Sequence, residues 1–196
     1  MRPLSVIRHN RGYIGFSLIL FVLGLLIGVV FFETLHGFLK QYLEKIQSLA
    51  SGAKDDHLNL AWLIFKNNLL ASFGLLVSGI FLSIFAINGI VLNGMVVGYA
   101  LVLMGKTGQV PVWALVLLGI LPHGVLEIPA FLLAGAMGIK LGYMWLRPIA
   151  GKSRWSSFRH AFAETLNVTP VIVGLLLGAA AMEGFVTPAL LKWYMH

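Results

Sequence analysis

Residues 12–32 read GYIGFSLILFVLGLLIGVVFF, 21 positions without one charged side chain. As a helix rising 1.5 Å per residue, such a run covers about 30 Å, the hydrocarbon thickness of a bilayer. Backbone groups in hydrocarbon must satisfy one another, which leaves helices or a closed barrel. The run is continuously apolar rather than alternating, so it reads as a helix. Arg2, Arg8 and Arg11 stand before it. A secretory signal core is shorter, and no small-x-small cleavage site follows, so the run reads as a retained first span.

The rest of the chain repeats this character. Of 196 residues, 59% are hydrophobic and only 11% charged, against roughly a quarter charged in soluble domains. The sequence therefore predicts an all-α polytopic helical membrane bundle, one membrane domain over residues 1–196. It has about five spans, at 12–32, 62–87, 90–104, 110–146 and 168–190. Asn88-Gly89 reads as the turn between the second and third spans. The 110–146 stretch is too long for one straight span of about 20 residues. Pro122 lacks a backbone donor and its ring clashes with the preceding turn, so a broken or kinked helix is expected there, with Gly124 beside the break.

The basic residues set the expected orientation. The net charge is +7, but the arginines and lysines bunch beside spans rather than interleaving with aromatics, which argues against nucleic acid. Arg147, Lys152, Arg154 and Arg159 follow the fourth span. If 110–146 crosses once, this loop and the N-terminus share the cytoplasmic side and the C-terminus lies outside. No or two crossings there would put the basic loop on the wrong side.

Two amphipathic stretches lie between spans. Leu35, Phe38, Leu39, Tyr42, Leu43, Ile46 and Leu49 recur at three- and four-residue spacing, which predicts a helix over 34–49 lying on the membrane or on the bundle. Trp155, Phe158, Phe162 and Leu166 form a shorter stripe with Arg154 and Arg159 off it, read as an interfacial helix on an anionic leaflet.

Polar groups at membrane depth are the candidate site. Glu127 and Glu183 fall inside apolar segments, where a charge costs roughly 2.5–3.5 kcal/mol on insertion scales. His123 lies four residues before Glu127, on the same helical face, and Asn67 and Asn68 are candidate partners from the second span. The plainer reading is a set of hydrogen bonds fastening the helix break to its neighbours. Lys66 and Lys140, near span ends, are expected to snorkel. Cysteine is absent, and no metalloprotease, nucleophile-elbow or phosphate-loop motif occurs, so no metal, cofactor or catalytic residue is expected. Small-x3-small pairs such as Gly24/Gly28 and Gly174/Gly178 allow close helix approach, within the bundle or in a homo-oligomer.

Residues 121–130 (LPHGVLEIPA), 134–142 (AGAMGIKLG) and 181–188 (AMEGFVTP), with Phe65-Lys-Asn-Asn68 and the Asn88-Gly and Asn93-Gly pairs, resemble the stage II sporulation protein M family. The resemblance covers about residues 12–190. It implies a five-span protein of the cytoplasmic membrane, without catalytic residues, that anchors partners. In spore formers the namesake holds peptidoglycan-degrading proteins during engulfment. The expectation is a non-enzymatic scaffold in contact with the lipid bilayer and with partner membrane or cell-wall-modifying proteins. The alternative is a transporter or permease-like component, whose path the helix break and the midplane carboxylates would line.

Overall fold

The computed structural model describes residues 2–51, 57–81, 83–107 and 111–195. Among them the chain is helical, with no strand. A short α1 (Pro3–His9) leads into α2 (Arg11–Val30), followed by α3 (Phe32–Ser51), α4 (His57–Ser78) and α5 (Ile84–Thr107). One turn of helix, α6 (Val112–Ala114), opens into a π-helical segment (Leu115–Ile120) and then α7 (Leu121–Leu146). Helix α8 (Arg154–Ala181) passes through a second π segment (Met182–Val186) into α9 (Thr187–Met195). Among the described residues, five helices are long and apolar enough to cross a membrane: Arg11–Val30, His57–Ser78, Ile84–Lys106, Leu121–Leu146 and Arg154–Leu190.

Helix α7 is the axis of the bundle. Every residue from 130 to 142 is buried, so this helix meets protein on all sides while its neighbours keep apolar faces outward. Its small residues make that enclosure tight. A Cβ on Gly138 would lie 2.3 Å from the Leu75 carbonyl of α4, and one on Gly142 would lie 2.2 Å from the Ser83 backbone nitrogen. Glycines also join α2 to α5, where Gly24 faces Val91, Gly28 faces Met95, Gly94 faces Phe21 and Gly98 faces Leu25, each backbone against backbone. Both numbers rise together in these pairs, so α2 and α5 run parallel. Pairs between α7 and α8 fall in opposite order, Lys140 with Glu164 and His123 with Glu183, so those two are antiparallel.

Three expectations change against this frame. Helix α4 ends at Ser78 and α5 begins at Ile84, so Asn88 and Gly89 sit inside α5 rather than in the turn between the spans. Close approach decides this: Gly79 presses on the Gly138 backbone, and Ser83, at φ 67°, donates a 2.7 Å hydrogen bond to the Ile139 carbonyl. The aromatic stretch at 155–166 is helical but not a separate interfacial helix. Ser157, Ala161, Glu164, Thr165, Val168, Ile172 and Leu176 form one buried stripe along α8, so nothing interrupts it before the span. The irregularity near Pro122 is a widened turn over Leu115–Ile120, after which Pro122 is the second residue of α7. A π turn relieves the clash between the proline ring and the carbonyl four residues earlier.

The helix expected over 34–49 lies within α3. Leu39 is fully buried with Phe32 and Tyr99, Leu35 packs against them, and Phe38 is 64% exposed. Tyr42, Leu43, Ile46 and Leu49 have side chains outside the described residues. The corner between α2 and α3 is fixed to α5: His36 Nδ1 lies 3.0 Å from the Tyr99 hydroxyl, and Lys106 pairs with Glu33 and stands over the Phe32 ring at 4.3 Å. The hydrogen bond and charge of Lys106 hold the Glu33 carboxyl below its ordinary range.

Candidate functional site

The first polar cluster forms where the two π segments meet the ends of α7 and α8. Pro122 is the second residue of α7, and His123 follows it one turn ahead of Glu127. Across the helix interface, the π segment at Met182–Val186 offers Glu183. His123 Nδ1 and Glu183 Oε2 stand 2.6 Å apart, both half-buried. They meet at ion-pair distance without the alignment of a hydrogen bond. Glu127 lies within electrostatic reach of both and takes a side-chain hydrogen bond from Asn68 of α4. The start of α4 holds the π segment from the other side, with His57 Nδ1 2.8 Å from the Gly184 carbonyl. A carbonyl can only accept, so this ring nitrogen carries the hydrogen.

Of the side chains singled out in the sequence, His123, Glu127, Glu183 and Asn68 therefore come together. Asn67 is exposed and donates to Asn68 Oδ1 at 3.4 Å. Gly124 is buried within α7. The cluster sets two carboxylates beside one imidazole. Such a set can hold or pass a proton, or fasten three helices together. Among the described residues, no three His, Asp or Glu side chains are spaced to hold a metal ion.

A second cluster sits toward the other end of α7, thirteen residues on, or about 20 Å along the helix. Lys140 is only 4% exposed, and it pairs with Glu164 of α8, itself 3% exposed. Lys140 also donates a 2.6 Å hydrogen bond to Asn10 Oδ1, and Asn10 Nδ2 donates to Glu164 Oε2 at 3.2 Å and to the Val6 carbonyl at 2.8 Å. His160 Nε2 lies 3.4 Å from Glu164 Oε1. The expectation that Lys140 snorkels is thus corrected. Its helix is enclosed by others, so its ammonium finds a carboxylate before it finds water. Glu164 of α8 is the partner that sequence reasoning missed. The available signal was its position in the Ser157-to-Val168 stripe.

A central buried helix, five helices of membrane length and a polar cluster near each end define a polytopic helical membrane protein. The family model of stage II sporulation protein M matches residues 17–188, and the chain belongs to that family. Two relatives come from Methanocaldococcus jannaschii. Uncharacterized protein MJ0706 is 25% identical over 189 residues, covering 91% of this chain and 83% of its own. Uncharacterized protein MJ0793 is 26% identical over 132 residues, covering 67% of this chain and 73% of its own. No solved structure matches this chain.

Proposed function

We propose that this chain is a non-enzymatic scaffold of the cell membrane, with its N-terminus cytoplasmic and its C-terminus outside. Its role is to hold partner membrane or envelope-modifying proteins, cell-wall hydrolases among them. The observation that carries this reading is the filled interior. Residues 130–142 of α7 are buried without a gap, and glycines bring α2 against α5 and α4 against α7, backbone to backbone. Packing of that density suits a rigid frame better than a path for solutes. Helix α3, pinned at its start by Lys106 and Tyr99 and carrying Phe38 outward, supplies a surface for partners.

A photo-crosslinking residue at Phe38, in cells, tests the reading. A discrete protein adduct, identified by mass spectrometry as an envelope-modifying enzyme and absent when that enzyme is deleted, is the expected result. Adducts to lipid alone would overturn it. The His123–Glu127–Glu183 group, which follows one π segment and takes Glu183 from the other, supports a second reading as a transport component, since π turns often mark functional sites. Proton or ion flux in proteoliposomes that is lost in Glu127→Gln would establish that reading and displace the first.

A further inference from the structure

The start of α8 carries a cavity that neither polar cluster uses. It holds about 350 Å³ and is lined by Lys152, Ser153, Trp155, Ser156, Arg159 and His160. Two permanent cations, an imidazole and two hydroxyls thus face one recess. This is the donor set that binds phosphate oxygens. Glu164 reaches the His160 ring at 3.4 Å through Oε1, but its Oε2 is already matched by Lys140 and Asn10, so the charges of Lys152 and Arg159 are left to the recess.

What lies beside the recess decides which phosphate it suits. Trp155 stacks on Phe158 at 5.8 Å, Phe158 stacks on Phe162 at 6.3 Å, and Trp145 meets Phe158 edge-on at 6.0 Å. Trp145, Trp155, Phe162 and Leu166 are all exposed. This aromatic ladder descends α8 from the basic recess toward the apolar span. Tryptophans at such a level mark the headgroup boundary of a bilayer. A soluble phosphate has no use for the ladder, whereas a lipid has a headgroup for the recess and chains for the rings. A second recess, lined by Ile7, Arg8, Arg11, Ile14 and Gly15, opens at the same end of the bundle, where Asn10 meets Glu164. That end is therefore basic on two sides.

We propose that the recess at Lys152, Arg159 and His160 is a binding site for the phosphate headgroup of an anionic phospholipid, whose chains lie along Trp155, Phe158 and Phe162. Native mass spectrometry of the full chain released from detergent, with phosphatidylglycerol and phosphatidylcholine at equal concentration, reads the preference directly. The first bound lipid should be phosphatidylglycerol. The double variant Lys152→Gln/Arg159→Gln should lose about thirtyfold in that preference, as expected for two juxtamembrane cations of roughly 1 kcal/mol each. Lys152→Arg/Arg159→Lys, which keeps both charges, should retain it. Both positions are exposed, so an unchanged melting temperature in detergent alone should show the double variant folded. Equal binding of the two lipids, or a preference unmoved by the double variant, would overturn the proposal. So would inorganic phosphate binding the recess while phosphatidylglycerol does not, since the ligand would then be a soluble phosphate.

Discussion

Lys140 and Glu164 are buried as thoroughly as the leucines around them, and their energetics belong to the pair. Each charge alone would keep its desolvation cost without the attraction that offsets it. Lys140→Met and Glu164→Leu should each destabilise the protein by about 3–5 kcal/mol, and the double variant should recover most of that loss. Denaturation in mild detergent, run as a double-mutant cycle, checks this; additive losses would mean the two residues act separately. Neither residue was legible as a partner, because a helix encased on all sides leaves no mark beside an individual lysine. Glu127 was legible, since a carboxylate inside an apolar run demands an explanation by itself. Glu127→Gln keeps a hydrogen-bonding group for Asn68, whereas Glu127→Leu strands that amide. The leucine variant should therefore be less stable than the glutamine variant by about 1–3 kcal/mol. Equal melting temperatures for the two would refute this.

Among the helices, glycine spacing was visible but its meaning was not. Gly24/Gly28 and Gly174/Gly178 have the same interval. Yet a Cβ on Gly28 would lie 2.2 Å from the Met95 carbonyl oxygen, while one on Gly174 meets nothing within 4 Å. Spacing records that a close approach is allowed; only the partner helix shows where it occurs. Gly28→Ala should cost roughly 1–3 kcal/mol by overpacking α2 on α5. Gly174→Ala should be neutral or slightly stabilising, as alanine favours a helix over glycine by up to about 1 kcal/mol. Thermal denaturation of the two variants separates these outcomes, and equal losses would refute the parallel α2–α5 contact. Helix α8 teaches the same lesson in reverse. Its aromatic stripe was visible, while its continuity with the last span lay in a buried stripe of Ser, Ala, Glu and Thr that hydropathy does not weigh as core.

At the scale of the molecule, the helical class and the five long apolar segments were legible because hydrocarbon permits so few structures. The lateral arrangement was not, since it depends on which small residues meet. That arrangement supports an argument about topology. Helix α2 runs parallel to α5, with Gly24 at Val91 and Gly28 at Met95. Ser83 at Ile139 and Ile90 at Gly135 make α5 and α7 antiparallel, and α7 and α8 are antiparallel through Lys140–Glu164 and His123–Glu183. Helices α2, α5 and α8 thus share one direction and α7 opposes it. Leu75 of α4 and Gly79 just beyond its end both abut Gly138, with Gly79 also at Gly142, which gives α4 the direction of α7. Directions alternate along the chain, as they must if each long helix crosses once. Four crossings then separate Arg2 from Lys152, and a fifth separates Lys152 from the C-terminus. In the orientation proposed above, with Arg8 and Lys152 on the cytoplasmic side, a reporter active only in the cytoplasm should work when inserted between Gly151 and Lys152 and stay silent when fused after His196. Activity at both positions would mean that α8 and α9 do not carry the chain across, and the reverse pattern would mean that the whole bundle is inverted.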